Sequence, residues 1–316
     1  MRTLIFIAIA GAAAQLVDGG LGMGFGVTST TILILLAGLG PAQASAVVHA
    51  AEVGTTFMSG VAHWRFGNVD WKVVLRLGVP GAIFAFIGST LLANLSTAAA
   101  KPVTSAILVA IGINLIWRFS KGRVVRQIKE RTYSTPFLVL LGSVGGFVDA
   151  SGGGGWGPVT TSTLLGLGRQ EPRRIVGTVN TAEFLVSVAA TLGFVFGLWE
   201  ELTANAAAVV ALLIGGMITT PIAAFLISRI NPVALGGLVG SLIVILNFPN
   251  LLPLVGLGDI AKTPTQWVLQ AVVFAFGAGF TLLGVRRARA AAKEQEQVVT
   301  SRSEDFEESP AITTVA

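Results

Sequence analysis

Three successive stretches, 205–227, 233–254 and 265–285, contain no charged side chain. Each can cross a hydrocarbon core about 30 Å thick, which takes roughly 20 apolar residues. Inside lipid every backbone N–H and C=O must find its partner within the protein, so such segments fold as helices. Further stretches at about 45–63, 75–95, 102–119 and 175–198 have similar reach, which gives about seven full spans. Only 12% of the residues are charged and 53% are hydrophobic, whereas a soluble domain carries about 25% charged residues. The chain therefore reads as an all-α polytopic membrane protein. It has no cysteine, which excludes disulfides and thiolate metal sites. The net charge of +5 lies in loops between apolar segments, a membrane-protein pattern that points to no nucleic-acid partner.

The N-terminal stretch "MRTLIFIAIAGAAAQ" imitates a secretory signal, but it has a counterpart deep in the chain. Residues 18–26 read "DGGLGMGFG", and 131 residues later 149–157 read "DASGGGGWG". The same register pairs Phe6 with Phe137, Gly11 with Gly142, Val17 with Val148 and Thr30 with Thr161. After a slip it returns at Ala51-Glu52 against Ala182-Glu183, so each aspartate precedes a glutamate by 34 residues. A segment with such a counterpart belongs to the mature fold. The openings at 3–39 and 135–168 are each cut by the glycine run into pieces shorter than a span, as in a re-entrant or tight helical hairpin. Paired Gly-interrupted segments in two halves point to a transporter's binding site.

Basic connections at 118–131, 169–174 and from 286 onward place those loops on the cytoplasmic side, together with the 64–76 loop. The helix with Glu52 then runs inward and the helix with Glu183 outward, as in two inverted-topology repeats. The expected organisation is a first repeat at 1–119, a basic cytoplasmic linker at 120–133, a second repeat with one extra helix at 134–285, and a disordered cytoplasmic tail at 286–316.

Four acids fall in or beside these spans: Asp18, Glu52, Asp149 and Glu183. A central charge costs about 2.5–3.5 kcal/mol on the insertion scale, and intramembrane acids generally mark ion or proton pathways. The glutamates have no turn to serve and read as functional. The aspartates have two readings, a proton or cation site or a brace for the glycine turns. His49 lies three residues before Glu52 and Asn180 three before Glu183, each pair on one helix face. His49 with Glu52 is either a proton relay or a hydrogen-bonded packing pair, and the set lacks a metal-site pattern. After the glycines come "VTSTT" at 27–31 and "PVTTST" at 158–163. Two half-helix N-termini there would offer amides, hydroxyls and dipole ends to an anion, with Gly22, Gly24, Gly26, Gly153, Gly155 and Gly157 letting backbone approach it. Thr28, Ser29, Thr160 and Thr161 are the candidate hydroxyls. Close helix packing is the alternative use of the glycines.

"QLVDGGLGMGFG" with "GGFVDASGGGGWGP", the segments "HAAEVGTT" and "NTAEFLVS", and "GVPGAIFAFIGSTLL" resemble the sulfite exporter TauE/SafE family, also called the four-toluene-sulfonate uptake permease family. The resemblance reaches to about residue 285. It implies a multi-span inner-membrane transporter of sulfite, organosulfonates or related anions, not an enzyme, with no cofactor. Protons or sodium are the candidate coupling ions, and an uncoupled, channel-like organic anion permease is the alternative.

Overall fold

The computed structural model describes residues 2–122, 131–167, 169–227, 231–260 and 263–307, and among them every element is helical, with no strand. The order is α1 (Arg2–Leu21), α2 (Phe25–Leu36), α3 (Pro41–Arg65), α4 (Trp71–Ala93), α5 (Thr97–Ser120) and α6 (Thr135–Gly152). A π-helical turn (Gly157–Thr161) then leads into α7 (Ser162–Leu167). After α8 (Pro172–Ala204), α9 (Ala206–Ile227) and α10 (Pro232–Asn247) come a 3₁₀ segment (Phe248–Val255) and α11 (Pro264–Glu307).

Among the described residues six helices are long and apolar enough to cross a membrane: Trp71–Ala93, Thr97–Ser120, Thr135–Gly152, Pro172–Ala204, Val233–Val255 and Pro264–Glu294. Five fall on stretches expected to span. The sixth, α6, was expected to stop short, but it continues through Asp149 to Gly152. The expected span 45–63 lies in α3, which His49, Glu52 and several hydroxyls keep out of the apolar class. The 205–227 stretch lies in α9, where Ala206–Thr219 is a shorter apolar helix, as are Thr3–Asp18 and Phe25–Leu36. One feature differs from the expected tail. α11 stays helical through 286–307, because "RRARAAAKEQEQ" is rich in strong helix formers. Residues 308–316, and 123–130 of the basic linker, lie outside the described residues.

Packing is reciprocal between the halves. α1 lies along α9 as α6 lies along α4, α3 meets α8, and α5 meets α10. The pairing explains Gly11 and Gly142. A Cβ on Gly11 would lie 2.3 Å from the Leu212 carbonyl oxygen, and one on Gly142 would lie 2.1 Å from that of Leu77. Gly146, one turn after Gly142, is equally close to Gly81 O, at 2.0 Å. Small residues thus let backbones touch where lipid supplies no hydrophobic drive. Gly142→Leu is expected to force α4 and α6 apart at a cost of about 1–3 kcal/mol, read as a lower unfolding temperature in detergent.

At one end of the molecule Asp70 caps α4, its Oδ1 accepting from Lys72 N (3.2 Å) and Val73 N (3.3 Å). Its Oδ2 accepts from Gln170 Nε2 at 3.1 Å and lies 3.6 Å from Arg174 Nη2. Asp70 N donates to Thr178 Oγ1 at 2.9 Å. Arg169 Nη1 donates to Thr132 O at 3.1 Å, and its guanidinium lies 5.6 Å from the Tyr133 ring centroid. Burial pushes the Tyr133 hydroxyl up to about 12, against the opposing pull of Arg169. Arg287 Nη1 donates to Ser120 O at 3.0 Å, which joins the start of the tail to the end of α5.

Candidate functional site

The site grows out of two helix breaks. Gly22 and Gly153 take left-handed φ of 62° and 73°, and Gly24 and Gly155 take φ of 124° and 152°. Side chains rarely adopt these conformations, so the repeated glycines encode a repeated backbone path. Each aspartate spans its break. Trp156 N donates to Asp149 Oδ1 at 2.8 Å, and Phe25 N donates to the Asp18 carboxylate. Phe25 and Trp156 occupy the same place in the two halves. Bracing the turn is therefore part of what both aspartates do.

The breaks meet each other. A Cβ on Gly154 would lie 2.2 Å from Val27 N, and one on Gly26 would lie 2.7 Å from Gly154 Cα. Thr30 Oγ1 donates to Gly153 O, and Gly157 packs on Met23. Of the six candidate glycines, Gly26, Gly153 and Gly157 thus lie directly in the crossing, whereas Gly22, Gly24 and Gly155 pack on side chains beside it.

Past the crossing the chain re-enters helix, in the second half through the π-helical turn. Thr28 Oγ1, Ser29 Oγ and Thr161 Oγ1 are buried without a hydrogen-bond partner among the described residues. Native proteins rarely leave buried polar atoms in that state. Thr160 behaves differently, its Oγ1 donating to Trp156 O at 2.5 Å within its own turn.

Glu52 on α3 is 2% exposed. Its Oε1 faces Gly26, where a Cβ would come within 2.9 Å of it, and its Oε2 has no partner among the described residues. Glu52 lies within electrostatic reach of Asp149, Glu183 and Asp18, and Glu183 on α8 within reach of Asp18 and Asp149. All four acids expected from the sequence therefore converge. The side groups of the glutamates do not behave alike. His49 is fully buried, its Nε2 3.1 Å from Asp149 Oδ2 and its Nδ1 2.8 Å from Ser45 O. Asn180 turns away from the acids and donates Nδ2 to Ser59 Oγ at 3.1 Å. His49, Glu52 and Asp149 each offer a ligand atom, all within 4.8 Å of one another. A cation could gather them only by displacing the hydrogen bond that already joins Nε2 to Oδ2.

Three participants escape a reading of the sequence. Ser45 orients His49 and donates Oγ to Ala150 O at 3.1 Å. The buried Asn247 donates Nδ2 to Thr31 Oγ1 at 3.2 Å, on the helix that carries Thr28 and Ser29. Ser187 Oγ, one turn after Glu183, is buried without a partner among the described residues. Ser45 could have been found from its i−4 spacing to His49, and Asn247 as a lone amide in an apolar stretch.

A protein-family profile described as "Sulfite exporter TauE/SafE" matches residues 7–248, a range that contains both glycine breaks and all four acids. The chain belongs to the sulfite exporter TauE/SafE family. A Bacillus subtilis (strain 168) protein named "Probable membrane transporter protein YtnM" is 44% identical over 254 residues, 80% of this chain and 84% of its own. Another from the same organism, "Probable membrane transporter protein YdhB", is 24% identical over 176 residues, 55% of this chain and 70% of its own. No solved structure matches the chain. As a TauE/SafE protein the chain is a multi-pass membrane transporter rather than an enzyme. Both crossed glycine breaks fall inside the matched TauE/SafE region.

Proposed function

We propose that this TauE/SafE chain is a secondary transporter of small anions, sulfite or an organosulfonate, in the plasma (inner) membrane with its C-terminus in the cytoplasm. The observation that carries this is the set of buried hydroxyls without partners, Thr28, Ser29 and Thr161, on the first turns after the two glycine breaks. Hydroxyl donors, helix N-terminal amides and dipoles form an anion site without a buried arginine. Gly22, Gly24, Gly26, Gly153, Gly155, Gly157 and Thr160 complete its walls. In the arrangement described the breaks touch, so the anion enters as they part. The two halves then act as inverted repeats that rock about the crossing, as in other transporters with broken helices. The reciprocal packing of α1 on α9 and α6 on α4 supports that symmetry. The Asp70–Gln170–Arg174 cluster draws two basic loops to one end, in keeping with a shared cytoplasmic face.

Four carboxyl groups gathered in one cluster, Glu52 and Asp149 of them buried, need protons or cations to balance them, and we assign coupling to the cluster, with Glu52 and Glu183 as the groups that pass protons between it and water. In proteoliposomes, Glu52→Gln with Glu183→Gln is expected to remove the response of sulfite flux to a pH gradient. Flux that still follows the gradient would eliminate the carboxylates from coupling, and flux that follows a sodium gradient would favour a sodium-coupled permease. Single Thr28→Val and Thr161→Val variants are each expected to weaken sulfite binding roughly tenfold, the scale of one lost hydrogen bond to a charged partner at about 1.5 kcal/mol.

A further inference from the structure

The two halves repeat the glycines of their breaks, their aspartates and their glutamates, but beside the acids they differ at one titratable position. His49 stands where the second half has Asn180. We propose that the proton moved during transport is the one held between His49 Nε2 and Asp149 Oδ2, so that each cycle couples a single proton lodged in one pair. This rests on the reading of the chain as a transporter.

The hydrogen-bond inventory requires one proton in that contact, and we place it on Nε2. His49 Nδ1 faces Ser45 O at 2.8 Å, and a carbonyl only accepts, so Nδ1 carries a hydrogen. Asp149 Oδ1 already accepts from Trp156 N at 2.8 Å, which suits a carboxylate. The remaining contact, Nε2 to Oδ2 at 3.1 Å, needs one hydrogen of its own, carried by Nε2. Both residues are shielded from water, at 0% and 1% exposure. Without that hydrogen the contact would set a lone pair against a carboxylate, and no hydrogen bond would join the two.

The pair also joins the moving parts. His49 is on α3 of the first half and Asp149 on α6 of the second, so motion between the halves lengthens the Nε2–Oδ2 contact. Once the contact is broken, the proton on Nε2 passes to the unpartnered Glu52 Oε2 and from there to water, and a proton from the other side restores the pair. Only N–H and O–H bonds change. The titratable groups facing the pair are Glu52 from α3, Glu183 from α8 and Asp18 from α1, and from α8 the Phe194 ring lies 5.9 Å from the imidazole. The second half offers no equivalent, since Asn180 is an amide spent on Ser59.

The chain has two histidines, which makes the test direct. In a His63→Gln background, nitrogen-15 histidine NMR in detergent micelles at neutral pH reads His49 alone. Both ring nitrogens are expected to carry hydrogen, and Asp149→Asn is expected to leave Nε2 bare, because an amide can donate to it while still accepting from Trp156 N. A bare Nε2 in the parent would overturn the proposal whatever the substrate. In vesicles loaded with pyranine, the parent is expected to move about one proton per sulfite, and Asp149→Asn and His49→Asn none. A proton ratio in those variants equal to the parent's would also overturn it. Absence of sulfite flux in the parent would count against sulfite as substrate, while the NMR result would still decide where the proton lies.

Discussion

Gly154→Ala is expected to yield little or no transport-competent protein. Gly154 has φ of 129°, and placing an L side chain in left-handed space costs about 1–2 kcal/mol. Its new Cβ would also sit 2.2 Å from Val27 N and 2.3 Å from Gly26 C, both main-chain atoms that no rotamer change can clear. Overpacking of that kind costs a further 1–3 kcal/mol or so, and the displaced backbone is the one that carries Thr28 and Ser29. Size-exclusion yield and sulfite flux in proteoliposomes would measure the loss. Gly166→Ala is the control, because nothing lies within 4 Å of its Cβ position, and it is expected to behave as the parent.

The second large effect separates a removed partner from a neutralised one. Asp149→Ala leaves His49 Nε2 and the Trp156 amide without their shared partner in a buried site, and breaking a buried pair from one side costs about 3–5 kcal/mol. Asp149→Asn keeps the Trp156 brace and supplies a donor to Nε2, so its cost is expected nearer 1 kcal/mol, the worth of an ordinary hydrogen bond. Thermal unfolding in detergent should therefore rank parent, Asp149→Asn and Asp149→Ala in that order, with a wide gap before the last. Equal destabilisation by both would mean that the charge opposite His49, and not the Trp156 brace, is what Asp149 contributes.

Much of this was legible because repetition in sequence demands repetition in structure. The 131-residue register placed both helix breaks, and the matched φ angles of Gly22 with Gly153 and Gly24 with Gly155 follow from it. The convergence of Asp18, Glu52, Asp149 and Glu183 was also readable, since none of them could be left facing lipid. What the sequence could not show is where one half reaches into the other. Helical spacing paired His49 with Glu52, whereas the imidazole bonds to a residue 100 positions away, a choice set by how α3 lies across α6. The length of α6 was misjudged because the glycine run looked like the place where the helix ends, while Asp149 and the small residues beside it stay helical to Gly152. In the tail, mixed charge looked like disorder, yet helix propensity carries α11 to Glu307.

The crossing has a mechanical meaning beyond its chemistry. Two main chains that touch at Gly26–Val27 and Gly154, with Gly157 against Met23 and a hydrogen bond from Thr30 to Gly153, behave like meshed teeth. Neither break can swing without turning the other. A path opened on one face by such a gear draws its opposite number along, and a leak through both faces at once would require the teeth to disengage.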